Sequence, residues 1–364
     1  VRTVALLSPC FWPEVRRGGE RFTRELADGL LDAGLAPTLI TSHPGRFTRR
    51  TEDGLSVLRL PRPPQGPLLR RGCEQYLTHV PLSYGALAVG HFGLAHAMYP
   101  TDALAAARWR AKTGRPALLS YLGIPDTAGL DQRRWHRELV KRAIEHTDRV
   151  VALSHYAAAA FQDSFGYDAP VIAPGVDIDV FSPGGQRSLV PTIICSADAS
   201  EPRKHVGLLI RAFALVRREL PDAELWLSAP QPRRLADAPG VRWLDLDDRA
   251  ELAAACGRAW VAALASKSEA FGLVLAEALA CGTPVVGYAD GAIPELVDSD
   301  RIGRLFHDLT APALAQALLS ALELSGDPRT RVACRARGEQ FSTRRCVESY
   351  LALYRELWAD HRDG

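Results

Sequence analysis

Short apolar runs alternate with longer amphipathic stretches along this 364-residue chain, and runs without polar alternation predict strands covered on both faces. In the first half strands are predicted near 3–8, 36–42, 55–60, 92–97, 117–121, 149–153 and 170–173, with helices near 20–33, 74–89, 102–113, 131–147 and 155–164. The second half restarts the pattern. Strands near 192–196, 223–228, 241–244, 259–265, 284–288 and 302–306 alternate with helices near 204–219, 248–257, 272–281 and 311–324, and helical stretches at about 327–341 and 344–361 follow. Alternation of this kind predicts an α/β protein with parallel, doubly wound sheets. Pro183-Gly-Gly-Gln-Arg-Ser188 has linker composition. It sets an N-terminal domain at 1–182, a linker at 183–190, a C-terminal domain at 191–343 and a terminal helix at 344–364.

Composition narrows the function. With 47% hydrophobic and 24% charged residues the chain is ordinary for a globular protein, and a net charge of +2 argues against a nucleic-acid binder. Seven scattered cysteines without a Cys-x-x-Cys predict reduced thiols in a cytoplasm rather than a disulfide framework or zinc site. The sequence given opens on strand-like Val4-Ala-Leu-Leu7 without a signal-peptide pattern. Val80 to Tyr99 carries no Asp, Glu, Lys or Arg, but Pro81, His91 and His96 dilute it; it divides better into a helix end and a buried strand than into a membrane span.

The chemistry concentrates in Ser266-Lys-Ser-Glu-Ala-Phe-Gly-Leu-Val-Leu-Ala-Glu277-Ala-Leu-Ala-Cys-Gly-Thr-Pro284-Val-Val. A buried strand precedes it, a helix spans its second half, and Gly282 with Pro284 supplies the stop signal. Glu269 therefore falls on a strand-to-helix turn at the carboxyl edge of a parallel sheet, and Glu277 on the helix. The amides of Phe271, Gly272 and Leu273 lie at the positive helix end, which suits hydroxyls and phosphates. A bare pair of carboxylates at this spacing would more simply be solvated.

With Phe-Gly between the acids and Gly-Thr-Pro-Val-Val after them, the segment resembles the Glu-x7-Glu signature of the family 4 retaining glycosyltransferases. The resemblance implies the glycosyltransferase-B architecture: two Rossmann-like domains facing each other across a cleft, with the terminal helix crossing back to the first. It also implies roles. Glu269 would hold donor-sugar hydroxyls, the amides of Phe271, Gly272 and Leu273 would contact sugar and phosphates, and Glu277 would bind the ribose. Ala173-Pro-Gly-Val-Asp177 with Phe181-Ser-Pro183 resembles another family element, and Arg17-Gly18-Gly19-Glu20 before a helix resembles its Gly-Gly loop. Glycine permits close backbone approach to phosphate there, so Gly18 and Gly19 join the donor-binding candidates.

Two departures stand out. The family's phosphate-clamping lysine matches Lys204 in Glu201-Pro-Arg-Lys204-His, yet the arginine expected five or six residues earlier is replaced by Ala199 or Asp198; Arg203 is the candidate substitute. The family's histidine near the reacting sugar matches Tyr121 or Leu122. A phenol can position a hydroxyl but does not replace an imidazole as a proton shuttle. Tyr121 and His96 are thus acceptor-side candidates, and for His96 a hydrogen-bonded structural role is the better reading.

Asp177-Ile-Asp179, Asp245-Leu-Asp247-Asp248 and Asp298-Ser-Asp300 are read as turns and caps, since a diphosphate neutralised by lysine, arginine and a helix terminus needs no metal. Neither metal nor cofactor is expected. Arg46, Arg49, Arg50, Arg59, Arg62, Arg70 and Arg71 face only Glu52 and Asp53, which predicts a mobile basic rim that contacts an anionic acceptor or anionic lipid, at the inner face of a membrane. The sum is a metal-independent retaining transfer of a hexosyl or N-acetylhexosaminyl group from a nucleoside-diphosphate sugar, UDP before GDP, to an acceptor hydroxyl. Front-face displacement, with the leaving phosphate taking the proton, is the implied route. The alternatives are a non-catalytic sugar-nucleotide-binding or partner subunit, and a phosphorylase or epimerase on the same fold. Oligomeric state is not legible.

Overall fold

The computed structural model describes residues 2–11, 14–15, 18–126, 130–131, 135–229 and 238–361. The chain forms two compact units, Val1–Gly175 with Thr343–Gly364, and Val176–Ser342. Both are α/β.

The first unit contains β1 (Thr3–Leu7), α1 (Gly18–Asp32), β2 (Ala36–His43), β3 (Thr48–Glu52), β4 (Leu55–Pro61), α2 (Gly66–Arg70), α3 (His79–Val89) and β5 (Leu94–Ala97). After these come α4 (Pro100–Thr113), β6 (Ala117–Ser120), α5 (His136–His146), β7 (Arg149–Val151) and α6 (His155–Phe165). The sheet order is β3-β4-β2-β1-β5-β6-β7, parallel except for the antiparallel β3–β4 edge. Val4 to Leu7 are fully buried, as expected for a central strand covered on both faces.

Strand β3 escaped the sequence reading because Thr-Arg-Arg-Thr-Glu has no apolar position; it pairs through a two-residue turn whose Asp53 and Gly54 both take positive φ, 48° and 84°. The predicted strand at 170–173 reduces to a single bridge between Ala152 and Val171. Within the uncharged Val80–Tyr99 stretch the structure has all of α3 but its first residue, and then β5, and among the described residues no helix is long and apolar enough to cross a membrane.

The second unit contains β8 (Thr192–Cys195), a 3₁₀ turn (Pro202–Lys204), α7 (Val206–Glu219), β9 (Glu224–Ser228), β10 (Val241–Leu244), α8 (Arg249–Arg258) and β11 (Val261–Leu264). Then follow α9 (Leu273–Ala280), β12 (Val285–Tyr288), α10 (Ile293–Leu296), β13 (Gly303–Phe306), α11 (Ala311–Leu324) and α12 (Pro328–Glu339). All strands of its sheet, ordered β10-β9-β8-β11-β12-β13, are parallel.

The terminal helix α13 (Thr343–Asp360) belongs to the first unit. Its Val347, Tyr350, Tyr354, Leu357 and Trp358 join the core of Val4, Leu6, Phe22 and Leu26, an i, i+3, i+4 stripe buried on one face. A Cβ on Gly29 of α1 would stand 2.3 Å from Val347 Cγ2, so glycine lets the two helices approach. Residues 183–190 are not a free linker. Arg187 Nη1 donates to the carbonyls of Ala259 (2.6 Å) and Trp260 (3.2 Å), and Trp260 Nε1 donates to Ser188 O (2.9 Å). The segment from Val176 onward is held likewise: Val176 N donates to Phe341 O at 2.7 Å, and Arg335 Nη1 donates to Ile178 and Phe181 carbonyls. Composition predicted flexibility there; long-range arginine contacts remove it.

Candidate functional site

Three loops at the carboxyl edge of the second sheet converge, as adjacent strands β8, β11 and β12 require. Lys267 N donates to Arg203 O at 3.1 Å, joining the loop after β11 to the loop after β8. Ser268, in the left-handed region with φ 51°, donates its amide to Asp290 Oδ2 at 2.6 Å, and Ala292 N donates to Glu269 O at 2.8 Å. A Cβ at Gly291 would sit 2.5 Å from Glu269 O, so only glycine allows this approach. The loop carrying Glu269 is thereby fixed from both sides.

The charged centre lies on that loop. Lys204 Nζ contacts Glu269 Oε2 at 2.6 Å and Arg203 Nη1 contacts the same oxygen at 3.5 Å. Burial raises the Glu269 carboxyl, but the charges of Lys204 and then Arg203 outweigh it and hold the carboxyl below its ordinary value. Arg203 is about half exposed whereas the Lys204 side chain is 14% exposed, which places lysine inside the site and arginine at its rim. Lys204 ends the 3₁₀ turn rather than starting a helix, because His205 adopts φ 49° and α7 begins only after it.

Helix α9 starts at Leu273 after Gly272, whose φ of 96° favours glycine, and no side chain caps it. Among the described residues, the amides of Phe271, Gly272 and Leu273 make none of the backbone hydrogen bonds of the surrounding turns, as expected of a helix N-terminus. Phe271 itself is buried edge-on against Phe341, ring centroids 5.2 Å apart, so its contribution toward a ligand is main chain. Glu277 is buried on α9. Gly282 N donates to Leu279 O and Thr283 N to Ala278 O, closing the helix with the predicted glycine stop. A carboxylate, two cations and a row of helix-end amides can together hold a polyanion and hydroxyl groups.

The first-unit candidates divide. Gly18 and Gly19 are the first residues of α1 rather than a loop before it, while Arg17 lies outside the described residues. A Cβ on Gly19 would meet Leu122 Cδ1 at 3.0 Å. His96 is removed from the acceptor-side candidates. It is fully buried, with Nδ1 2.6 Å from Tyr354 Oη and Nε2 2.7 Å from Ser120 Oγ, and desolvation lowers its pKa to about 3. Tyr121 is nearly buried, 3.0 Å from His136 Nε2, and desolvation with the nearby charges of Glu74 and Asp126 pushes its phenol well above the ordinary value.

The basic segment is more ordered than predicted. Arg59 pairs with both oxygens of Glu52, and Arg62 makes a fork on Glu14 at 2.7 and 3.0 Å, so both leave the exposed set. Arg46, Arg49, Arg50, Arg70 and Arg71 remain exposed. Of the aspartate clusters, Asp248 caps α8 through Ala250 and Glu251 amides, Asp177 accepts from Asp179 and Val180 amides, Asp245 accepts from the Asp247 amide, and Asp298 pairs with Arg337. Asp198, at the place of the expected arginine, accepts from Ser200 N and Oγ and shapes its own turn. Sequence reasoning missed Asp290, Gly291 and His136. Asp-Gly one residue after a predicted strand was a usable signal for the first two; nothing local marked His136.

Two α/β units, each built on a largely or wholly parallel sheet and the second with charged loops gathered at its carboxyl edge, define a glycosyltransferase-B fold. The family description Glycosyltransferase Family 4 matches residues 16–180, and Glycosyl transferases group 1 matches residues 190–324. The chain belongs to this family of glycosyltransferases. It is 33% identical over 215 residues to a D-inositol 3-phosphate glycosyltransferase of Mycobacterium leprae (strain Br4923), covering 52% of this chain and 49% of that protein. A Mycobacterium tuberculosis (strain ATCC 25177 / H37Ra) protein of the same name is 31% identical over 249 residues, 61% of this chain and 51% of its own. The chain thus spans about half the length of these relatives. Sucrose-phosphate synthase from Thermosynechococcus elongatus superposes with a TM-score of 0.78 at 21% identity, covering 99% of this chain and 100% of the other. Anabaena HepE in complex with UDP-glucose gives 0.72 at 17%, covering 97% and 99%.

Proposed function

We propose that this protein transfers a hexosyl or N-acetylhexosaminyl group from a nucleoside-diphosphate sugar, UDP before GDP, to an acceptor hydroxyl with retention at the anomeric carbon. The observation that carries the reading is the contact of Lys204 Nζ with Glu269 Oε2 at 2.6 Å, beside the uncapped start of α9. A bound diphosphate would draw Lys204, with Arg203 beside it, onto its oxygens and leave Glu269 for sugar hydroxyls. Loss of the diphosphate leaves positive character on the sugar, so stabilising the leaving group dominates the barrier. The helix-end amide at Gly272 and the carboxylate of Glu277, set for a ribose, complete the donor assignment within the second unit. The relatives named for D-inositol 3-phosphate and the neighbour bound to UDP-glucose support a UDP donor and a hydroxylated acceptor.

With cationic side chains and amides as the phosphate ligands, turnover should survive excess EDTA; complete loss restored by Mg²⁺ or Mn²⁺ would contradict the clamp. The five exposed arginines fit an anionic acceptor or anionic lipid at the inner membrane face, and seven free cysteines fit a reducing cytoplasm. A screen of UDP-, GDP- and dTDP-sugars for diphosphate release tests the reading. Release identifies the donor, whereas binding without turnover across varied acceptors would make the protein a sugar-nucleotide-binding subunit.

A further inference from the structure

The first unit holds a second polar chain at the end of a strand. Tyr121 directly follows β6, and its amide still donates to Val151 O at 2.9 Å, so the residue stands at the carboxyl edge. The closeness of Leu122 to Gly19 puts this edge beside the first turn of α1. Tyr121 Oη lies 3.0 Å from His136 Nε2, and His136 Nδ1 lies 3.2 Å from Glu74 Oε2. Three separate segments therefore meet end to end: the loop before α3, the end of β6 and the start of α5.

The other Glu74 oxygen, Oε1, is buried and has no hydrogen-bond partner among the described residues, and Glu74 is only 7% exposed. Leaving a buried carboxylate oxygen unsatisfied is unfavourable, so a merely structural pair would not need it. In the tautomer that keeps the His136 proton on Nδ1, facing Glu74 at 3.2 Å, Nε2 accepts from the Tyr121 hydroxyl, and the phenol oxygen keeps its lone pairs for a further donor. Burial, and then the negative charges of Glu74 and Asp126, disfavour an anion at that phenol oxygen and favour a neutral hydroxyl there.

We propose that Glu74, His136 and Tyr121 form an acceptor-orienting relay, in which the Tyr121 oxygen receives an uncharged hydroxyl of a polyol acceptor and His136 and Glu74 are the positioning residues behind it. This rests on the transferase reading above, and it provides an imidazole in the acceptor region although the strand-end position is tyrosine.

The test uses UDP-glucose as donor with glycerol, myo-inositol and glucose as acceptor probes, and follows sugar transfer and hydrolysis to water separately. His136→Gln should cut transfer about 10²-fold, the scale of a misplaced reactant, while UDP affinity and hydrolysis stay within about twofold. Glu74→Gln and Tyr121→Phe should each lower transfer about tenfold, mainly through the acceptor KM, and imidazole should partly restore His136→Ala. Transfer and hydrolysis falling together, or full transfer in these variants, overturns the relay. A wild-type protein that hydrolyses UDP-glucose but transfers to none of the three probes overturns the polyol assignment. Failure of the wild-type protein to bind UDP rejects the underlying donor reading instead.

Discussion

The loops around Glu269 in the second unit and the buried histidine cluster of the first are both polar and opposite in character. Around Glu269 three charged groups meet with part of Arg203 open to solvent, and the carboxyl stays ionised because neighbouring cations outweigh its burial. Around His96 the partners Tyr354 and Ser120 are neutral, Tyr350 completes the set through Ser120, and the imidazole is fully buried. Burial without opposite charge removes ionisation. A cluster of the first kind can exchange its internal partner for a charged ligand, whereas one of the second kind can only hold two elements together. This difference, rather than residue type, separates the candidate site from architecture.

The sharpest way to break the comparison is Lys204→Ala. If Lys204 neutralises a departing diphosphate, turnover should drop about 10²–10³-fold, the cost of removing one preorganised charge-stabilising group, with Arg203→Ala costing about tenfold. Near-normal turnover of the Lys204 variant in a steady-state assay would move the clamp elsewhere. Gly291→Ala comes next. Its methyl would press on Glu269 main chain at 2.5 and 2.7 Å from a φ of 64°, so the loop must shift and turnover should drop at least tenfold, on the scale of a small misplacement, while the circular dichroism spectrum is retained.

Glu277→Ala should weaken UDP binding by about 1.5–3 kcal/mol through loss of a charge-assisted hydrogen bond, read by calorimetry. Glu269→Ala should spare UDP affinity while lowering turnover, since its proposed partner is the sugar; equal UDP losses in both variants would erase the distinction between the two carboxylates.

The smallest effect belongs to the buried cluster. Tyr354→Phe leaves His96 Nδ1 without its partner and should cost about 1–3 kcal/mol in a denaturant titration, with UDP affinity unchanged. The pH dependence has a definite sign. His96 titrates near 3 when folded, below its unfolded value of about 6.5, so the unfolded chain binds the extra proton between them. Its stability contribution is complete above about pH 6.5 and fades as pH falls toward 3. Thermal melts between pH 7.5 and 5 should show this fall, and His96→Gln should flatten it.

How much could be read before the fold was known depends on distance along the chain. Glu269, Gly272 and Glu277 sit within one turn and helix, so periodicity and a glycine placed them, and Gly282 closed the helix where expected. Lys204 was legible only through resemblance, and its helix start was misplaced because His205 takes a left-handed conformation. Polar β3 left no hydrophobic trace. The supposed linker and the expected exposure of Arg62 failed for one shared reason: arginines whose partners lie far off in sequence, Arg187, Arg335 and Arg62 among them, looked like surface charge.

By itself the sequence determined the alternation of buried strands and helices, the turn and helix that carry the two carboxylates, and the class of chemistry those residues suit. These follow from local periodicity and from backbone freedom at particular glycines, which act within a few residues. Only the tertiary structure decided that Glu269 meets Lys204 and Arg203, that Asp290 and Gly291 hold its loop, that His96 joins β5 to the terminal helix, and that His136 stands behind Tyr121. Each of these depends on through-space electrostatics and desolvation, set by which segments the sheets bring together.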